Sequence, residues 1–152
     1  MFNIRVYGIL INEQKQVLVS DEFIMGNYYT KFCGGGLEKG EGTIDCLKRE
    51  FMEEMNLPVS ITEHFYTTDF CQQSAFNPAH QLISIYYLVR PLAAMTVPLR
   101  SAAFQFDEEQ LKPYEATGET EIFRWIDWEH FCKDSVSLPI DKIVAGLIKL
   151  RF

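Results

Sequence analysis

Apolar runs separated by short polar segments predict β-strands along much of the chain. Residues 3–11 and 16–20 are rich in aliphatic and β-branched side chains and flank the polar segment NEQKQ, a pattern typical of a β-hairpin. Similar runs predict four further strands, at 28–33, 59–70, 82–90 and 121–126.

A helical period replaces these runs between Thr43 and Met55. The apolar positions recur there at spacings of three and four residues, which marks one face of an amphipathic helix, and they are Ile44, Leu47, Phe51 and Met55. Thr43 is a suitable N-cap because its hydroxyl can accept a bond from a free backbone N–H. Asn56 tolerates the left-handed conformation that ends a helix, and Pro58 prevents continuation.

A second amphipathic helix is predicted from Pro139 to Leu150. Its apolar side consists of Ile140, Ile143, Leu147 and Leu150. Between residues 91 and 120 prolines interrupt the pattern, and only a short strand at 103–106 is predicted. Strands interleaved with two helices indicate an α+β fold in which the helices pack on a mixed sheet.

The length of 152 residues is typical of one domain, so we expect residues 1–152 to form a single domain with its own core. The chain has 14 basic and 21 acidic side chains, a formal charge of -7, which disfavours a nucleic-acid polymer as partner. The acidic residues concentrate in two segments, 35–57 and 107–121.

Cysteine spacing and the amino-terminal sequence indicate an intracellular protein. The cysteines Cys33, Cys46, Cys71 and Cys132 form no C-x-x-C pair, which disfavours a zinc site and is typical of reduced thiols. The start, MFNIRVYGILI, has no charged segment followed by a long apolar run, so no signal peptide is predicted. No apolar run is long enough to span a bilayer, and we expect a cytoplasmic location.

Three glutamates on the first predicted helix are candidates for a metal site. Glu50, Glu53 and Glu54 have the spacing i, i+3, i+4, which places them on one side of a helix. Like charges at that distance cost a few tenths of a kcal/mol per pair. A bound divalent cation would remove this repulsion. Oxygen ligands select hard ions, which indicates Mg²⁺ or Mn²⁺. The alternative is a solvated acidic face without a ligand.

Two neighbouring features can support such a site. Arg49 can pair with Glu53 at i+4 or with Asp45 at i−4 and so orient a metal ligand. The glycine cluster at 34–36 is predicted to form a loop that brings the backbone close to the start of the helix. Glycine lets a carbonyl turn toward a metal, or N–H groups turn toward phosphate oxygens.

The segment from Gly35 to Leu57 resembles the Nudix box, G-x5-E-x7-R-E-U-x-E-E-x-G-U, in which U is a bulky apolar residue. The matching positions are Gly35, Glu41, Arg49, Glu50, Phe51, Glu53, Glu54 and Leu57. Asn56 stands where the family has glycine, and asparagine adopts a left-handed φ more readily than most residues, so this departure is benign.

The resemblance implies both a fold and an activity. Nudix proteins form an α/β/α sandwich with a mixed β-sheet. Most of them hydrolyse a nucleoside diphosphate linked to another moiety by using Mg²⁺ or Mn²⁺. Water attacks a phosphorus atom, and the ion activates the water and neutralises the charge that develops on the phosphate oxygens. We therefore expect a metal-dependent pyrophosphohydrolase that acts on a small nucleotide-type diphosphate.

The resemblance also assigns roles to individual residues. The metal ligands would be Glu50, Glu53, Glu54 and a carbonyl of Gly34 or Gly35. Arg49 would hold the glutamates in place, and Glu50 is a candidate to receive the proton of the water. The residues that support the loop would be Gly36, Glu38, Gly40 and Glu41. In several family members the general base lies on a later loop, and of Glu115, Glu119 and Glu121 we favour Glu119.

Substrate and assembly stay open at this point. No substrate-binding residue is assigned, although Asp21 and Glu22 stand where many members carry arginines, which slightly favours a nucleotide sugar over a triphosphate. The alternative function is a Nudix-fold nucleotide-binding or regulatory module without turnover. Such modules often have a degenerate box, whereas the helix charges are complete here, so the enzyme is the favoured interpretation. Family members are often homodimers, which makes a homodimer the expected assembly.

Overall fold

Two mixed β-sheets organise the chain, and each belongs to a different compact unit. The computed structural model describes residues 1–152. The first unit comprises residues 1–10 and 33–96, and the second comprises residues 11–32 and 97–152. In chain order the elements are β1 (Phe2–Ile9), β2 (Gln16–Ile24), β3 (Asn27–Lys31), β4 (Cys33–Gly36), α1 (Thr43–Met55), β5 (Val59–Thr67), β6 (Gln72–Gln73), β7 (Gln81–Pro91), β8 (Leu99–Arg100), α2 (Glu108–Thr117), β9 (Glu119–Asp127), a 3₁₀ turn (Lys133–Ser135) and α3 (Pro139–Arg151).

In the first unit the strand order is β4-β1-β7-β5, and β6 pairs with β7. β1 and β7 are parallel, whereas β4 and β5 are antiparallel to their neighbours. Helix α1 packs on this sheet through the fully buried Phe51. A Cβ on Gly8 would lie 2.8 Å from the Phe51 ring, so the glycine in β1 is what allows the helix to approach the sheet.

The predicted bounds of α1 are confirmed, and two details of the prediction are wrong. The N-cap is Gly42 rather than Thr43, whose hydroxyl instead lies 2.6 Å from Tyr87 Oη. Leu47, Phe51 and Met55 are buried as predicted, but Ile44 is 44% exposed and Cys46 is buried in its place. Asn56 has φ 49° and ψ 38°, the left-handed conformation predicted for it.

In the second unit the strand order is β3-β2-β9-β8. β2 is antiparallel to both neighbours, and the short β8 runs parallel to β9. The core of the unit includes Val17, Val19 and Ile126 from the sheet and Val144 and Ile148 from α3. The 139–150 helix prediction is confirmed in its bounds to within one residue.

The buried face of α3 is not the predicted one. Ile140 is buried as expected, but Ile143, Leu147 and Leu150 are 41%, 37% and 86% exposed. The buried positions are Ile140, Asp141, Val144, Ala145 and Ile148. The helix is apolar on more than one side, so the sequence is compatible with either of two buried faces. Packing against the rest of the unit determines which face is buried.

The predicted hairpin between residues 3–11 and 16–20 is wrong. β1 pairs with β4 and β7 in one sheet, and β2 pairs with β3 and β9 in the other. The polar segment does form a turn, closed by the bond from Asn12 N to Gln16 O and by a single bridge between Ile11 and Val17. The segment therefore forms a turn, but β1 and β2 do not pair with each other along their length, because each pairs with other strands in its own sheet.

Two further predictions need correction. The 28–33 run is divided at Phe32 into β3 and β4, which belong to different sheets. Residues 103–106 form no strand; the nearby elements are β8 and the unpredicted helix α2. Helix α2 has Pro113 inside it and buries no residue, so it lacks the amphipathic stripe that reveals a helix in sequence. β7 and β9 cover their predicted segments, whereas β5 ends at Thr67 rather than at residue 70, and the α+β class is confirmed.

None of the four cysteines is in a disulfide: Cys33 and Cys46 are buried, and Cys71 and Cys132 are exposed. The helices of this chain are too short or too polar to cross a bilayer.

Candidate functional site

The glycine cluster lies in a strand rather than in the predicted loop. Gly34, Gly35 and Gly36 belong to β4 and pair with Tyr7, Val6 and Arg5 of β1, respectively. Gly34 has φ +155°, and a Cβ there would overlap the carbonyl oxygen of Val6. Pairing with β1 therefore fixes the position of this backbone.

Gly35 is the point at which the strand meets the helix glutamates. A Cβ built on Gly35 would overlap the carboxylate of Glu50, whereas one on Gly36 would lie 3.4 Å from Arg5 Nη1. The missing side chain of Gly35 is therefore the space that the Glu50 carboxylate occupies. This contact brings together two of the residues predicted for the metal site.

Arg49 is the centre of a charge network. Its Nε donates to Glu41 Oε2 at 2.9 Å and its Nη2 to Glu41 Oε1 at 2.7 Å, a bidentate pair. Its Nη1 donates to Glu50 Oε1 at 3.0 Å and to Glu53 Oε2 at 3.2 Å. Arg49 Nη1 also lies 3.8 Å from Glu38 Oε1. The predicted pairing with Glu53 is present, and Asp45 instead accepts a bond from the N-cap N–H of Gly42.

The same guanidinium fixes the end of β4. Arg49 Nη2 donates to the carbonyl oxygen of Gly36 at 3.1 Å, and the thiol of Cys46 donates to that oxygen at 3.5 Å. Cys46 is fully buried and lies one helical turn before Arg49, whose Nη2 is 3.7 Å from its Sγ. Cys46 is not among the predicted site residues, and its i, i+3 spacing to Arg49 is the sequence signal that indicates a place for it.

The network changes the acidity of its members. The bonds from Arg49 lower the pKa of Glu41 to about 2, and Glu41 in turn raises the pKa of Arg49. Burial, together with the neighbouring Glu41, raises the pKa of the Cys46 thiol to about 12. At neutral pH the network therefore contains an ionised Glu41, a charged Arg49 and an uncharged thiol.

The carboxylates of α1 fit a hard divalent cation. Glu53 is exposed and Glu50 and Glu54 are partly exposed, so solvent reaches the cluster. Arg49 bonds one oxygen of Glu50 and one of Glu53, which leaves each carboxylate its second oxygen for a cation. The carboxylates of the cluster outnumber the one cationic side chain, Arg49. Mg²⁺ and Mn²⁺ prefer such oxygen ligands.

The supporting residues of the 37–42 segment are arranged around the same arginine. Glu41 Oε1 accepts a bond from the backbone N–H of Glu38 at 2.9 Å, which closes the segment on itself. Gly40 has φ +90°, a conformation that favours glycine. A metal-directed carbonyl from Gly34 or Gly35 stays a prediction.

Glu119, the predicted general base, belongs to the second unit. It is the first residue of β9 and is exposed, and its carbonyl accepts a bond from the Thr117 hydroxyl at 3.2 Å. Its two competitors also lie in that unit: Glu115 is in α2, and Glu121 is in β9. The first unit thus holds the residues of the predicted box, and the proton-acceptor role of Glu119 stays a prediction.

The sequence matches the NUDIX domain family over residues 1–144. No curated protein is significantly similar to it in sequence.

Solved structures show the same fold at low sequence identity. A MutT protein from Methanosarcina mazei is 14% identical with a TM-score of 0.68, and the match covers 98% of this chain and 94% of that one. The E. coli ORF135 protein is 13% identical with a TM-score of 0.68, over 99% and 91% of the two chains. An ADP-ribose pyrophosphatase from Streptococcus suis is 13% identical with a TM-score of 0.56, over 99% and 92%.

Proposed function

The chain belongs to the Nudix family of hydrolases, which act on phosphoric anhydride bonds, and from that premise we propose that it is a Mg²⁺- or Mn²⁺-dependent pyrophosphohydrolase. Its substrate would be a nucleoside diphosphate linked to another moiety. The observation that carries the proposal is the Arg49 network, which holds Glu50 and Glu53 through one oxygen each. A carboxylate held in this way keeps its other oxygen for a metal ion.

The side chains of α1 supply most of the proposed chemistry. Glu50, Glu53 and Glu54 would hold the divalent ion, which when bound activates water and neutralises charge on the phosphate oxygens. Arg49 keeps two of these carboxylates in place, and Gly35 leaves the room that Glu50 needs. No protein nucleophile is required, because water attacks the phosphorus directly.

Two carboxylates are proposed as alternative acceptors of the water proton. Glu50 would accept it at Oε2, the oxygen that Arg49 does not bond. Glu119 would act from the start of β9. Glu119→Gln separates the two roles: if Glu119 is the base, we expect kcat to fall roughly 10²-fold or more while binding of the metal is unchanged. Full activity of this variant assigns the proton to Glu50.

The central experiment is a hydrolysis panel with Mg²⁺. It compares nucleoside triphosphates, nucleotide sugars, dinucleotides and dinucleoside polyphosphates, with slight preference expected for nucleotide sugars. The double variant Glu53→Gln/Glu54→Gln should lose nearly all turnover, because two of the three metal carboxylates become neutral. Glu108→Gln/Glu109→Gln makes the same change of charge on α2 and should keep full activity.

Each outcome of the panel decides between interpretations. Full turnover in the α1 double variant would overturn the metal-site assignment. Binding of nucleotides without any turnover would favour a regulatory module.

We also propose that residues 1–152 act as one domain, in the cytoplasm and as a homodimer. The NUDIX match includes residues of both compact units, which supports a single domain. Light scattering at micromolar concentration tests the dimer.

A further inference from the structure

The side of α3 that faces away from its core is apolar. Ile143, Leu147 and Leu150 are 41%, 37% and 86% exposed, and Gly146 is partly exposed. Their spacing of i, i+3, i+4 and i+7 places all four on one side of the helix. The exposed side of a surface helix normally carries polar side chains. We call these four residues the α3 stripe.

Gly146 lies in the middle of the α3 stripe, and the packing of its own chain does not require it. A Cβ built on Gly146 would meet no atom within 4 Å apart from the helix backbone around it. In a helix interior glycine is the least favourable residue after proline, and alanine would fit here. A glycine that lowers helix stability and makes no room within its own chain is explained if another chain uses the room.

The lysines beside the α3 stripe have partners in their own unit. Lys142 Nζ donates to the carbonyl oxygen of Val136 at 2.7 Å and lies 3.7 Å from Asp134 Oδ1. Lys149 Nζ donates to the carbonyl oxygen of Trp128 at 2.6 Å and lies 4.2 Å from the centroid of the Trp128 ring. These contacts hold both ammonium groups at the edge of the helix, so the stripe keeps a continuous apolar surface.

The charge distribution favours this side of the protein for contact between two copies. The chain has a formal charge of -7, so two copies repel each other at long range. Helix α3 departs from this balance, because its basic residues are Lys142, Lys149 and Arg151 and its one acidic residue is the buried Asp141. Two copies can therefore meet through α3 without bringing acidic surfaces together.

We propose that the α3 stripe is the contact surface of a homodimer, in which α3 packs antiparallel against α3 of a second copy. The inference rests on the homodimer included in the proposed function. A two-fold interface has to be self-complementary, because the same surface lies on both sides. With the axis between residues 146 and 147, Ile143 lies against Leu150 of the second copy, and Leu147 fits over Gly146 of the second copy. The stripe thus supplies both the large side chain and the gap that receives it.

The length of the helix sets the strength of this contact. Helix α3 has 13 residues and is therefore about 20 Å long. One pair of helices of this length buries less than the roughly 1,200 Å² at the lower limit of stable protein–protein interfaces. The dimer should therefore be weak and reversible, with a dissociation constant on the order of 10 µM or higher.

Sedimentation velocity between about 1 and 500 µM tests the dimer, because this range spans the expected dissociation constant. The sedimentation coefficient of the wild type should rise with concentration. Leu147→Gln should weaken the dimer by about 10-fold or more, because the contact would bury an amide without a partner. Leu111→Gln on α2 is the matched control, since Leu111 is 36% exposed, and it should dimerise as the wild type does.

Gly146→Ala separates the effect on the dimer from the effect on the fold. The methyl group meets nothing in its own chain and improves helix propensity, so the Tm at low concentration should rise by a few degrees. The same methyl group occupies the gap that receives Leu147 of the second copy, so dimerisation should weaken by about 10-fold. A general loss of structure cannot raise the Tm while it weakens the dimer.

Cysteine cross-linking tests the antiparallel arrangement, after the exposed Cys71 and Cys132 have been replaced by serine. Under mild oxidation a 1:1 mixture of Ile143→Cys and Leu150→Cys proteins should give a disulfide-linked dimer on a non-reducing gel. Each variant alone should give little, because only the unlike positions come within reach of a disulfide. Equal cross-linking of each variant with itself would refute the antiparallel arrangement.

Two results of the sedimentation experiment would overturn the inference. They are a wild type that is monomeric at every concentration, and a dimer that neither Leu147→Gln nor Gly146→Ala weakens. Hydrolysis by the same variants keeps the inference separate from the proposed activity, because the α3 stripe lies outside the Arg49 network. A dimer that responds to both variants but hydrolyses nothing in the panel would refute the hydrolase and support the α3 contact.

Discussion

Arg49 and Asp21 are the centres of two charge clusters that differ in balance. Arg49 faces four carboxylates, of which those of Glu38 and Glu53 are open to solvent and those of Glu41 and Glu50 are largely covered. Asp21 is fully buried, and its carboxylate accepts four hydrogen bonds. Its donors are Arg124 Nε at 2.6 Å, Arg124 Nη2 at 3.2 Å, the Thr30 hydroxyl at 2.7 Å and the Phe104 N–H at 3.3 Å.

The difference shows how the same ion-pair chemistry serves two purposes. A buried carboxylate with matched donors holds strands and a loop together, and it has no capacity left for a ligand. An open cluster in which carboxylates outnumber the cation retains oxygens and negative charge, which is what a divalent ion requires. The excess of charge, rather than the presence of a salt bridge, is therefore the mark of the functional cluster.

Removing the charge of Asp21 is expected to have the largest effect. Asp21→Asn leaves the Arg124 guanidinium buried without a counterion, and we expect the free energy of unfolding to fall by about 3–5 kcal/mol. Urea denaturation followed by circular dichroism measures this loss.

A paired substitution controls for size and burial at this position. Asp21→Leu/Arg124→Met removes both charges and should recover much of the stability, because matched apolar pairs replace buried ion pairs at little cost. A loss of less than 1 kcal/mol in Asp21→Asn would show that this cluster is not structural.

Filling the space at Gly35 should damage the open cluster with little effect on the fold. In Gly35→Ala the new methyl group overlaps the Glu50 carboxylate, so Glu50 must move away from its position beside Arg49. We expect hydrolysis to fall by about 10- to 100-fold, the usual cost of displacing the groups that orient a metal site. Steady-state kinetics at several Mg²⁺ concentrations measures the loss.

Gly36→Ala is the matched control on the neighbouring residue of β4. Its Cβ meets only the end of the Arg5 side chain, at 3.4 Å, so activity should stay close to that of the wild type. Equal losses in the two variants would mean that the strand, and not the space for Glu50, is what matters.

The smallest expected effect is a pH dependence of stability that arises from Glu41. Bonds from Arg49 lower the pKa of this carboxyl from 4.5 to about 2. Because the folded state holds the proton more weakly than the unfolded state, the stabilisation is complete above pH 4.5 and is lost as the pH falls toward 2. Between pH 5 and pH 2 the wild-type Tm should therefore fall more steeply than that of Glu41→Gln. Parallel curves in differential scanning calorimetry would contradict the assigned role of Arg49.

The site is predictable from the sequence because its residues are close in the chain. The i, i+3, i+4 spacing of the glutamates and the pairing of Arg49 with Glu53 follow from helix geometry alone. Helix geometry does not predict the bidentate bond from Arg49 to Glu41 or the contact of Glu50 with Gly35. Both depend on how the strand and the following segment fold back onto the helix.

The errors in the fold have the same origin. The segment NEQKQ indicates a reversal of the chain, but pairing with distant β7 and β9 decides which sheet receives β1 and β2. Helix α2 has no signal in the sequence because it buries no residue and contains Pro113. On α3 the apolar period predicts a helix, and only tertiary packing shows that Val144 and Ile148 are buried in place of Ile143 and Leu147.

The distribution of the four cysteines gives the protein a built-in scheme for chemical labelling. Cys71 and Cys132 are exposed, and one lies in each compact unit, whereas Cys33 and Cys46 are buried. Under native conditions a maleimide dye should attach to the two exposed thiols and leave Cys46 unmodified, since its thiolate is scarce as well as inaccessible. Replacing either exposed cysteine by serine then leaves a single attachment point in a chosen unit, so a fluorescent or spin probe can report on one unit without altering the residues around Arg49.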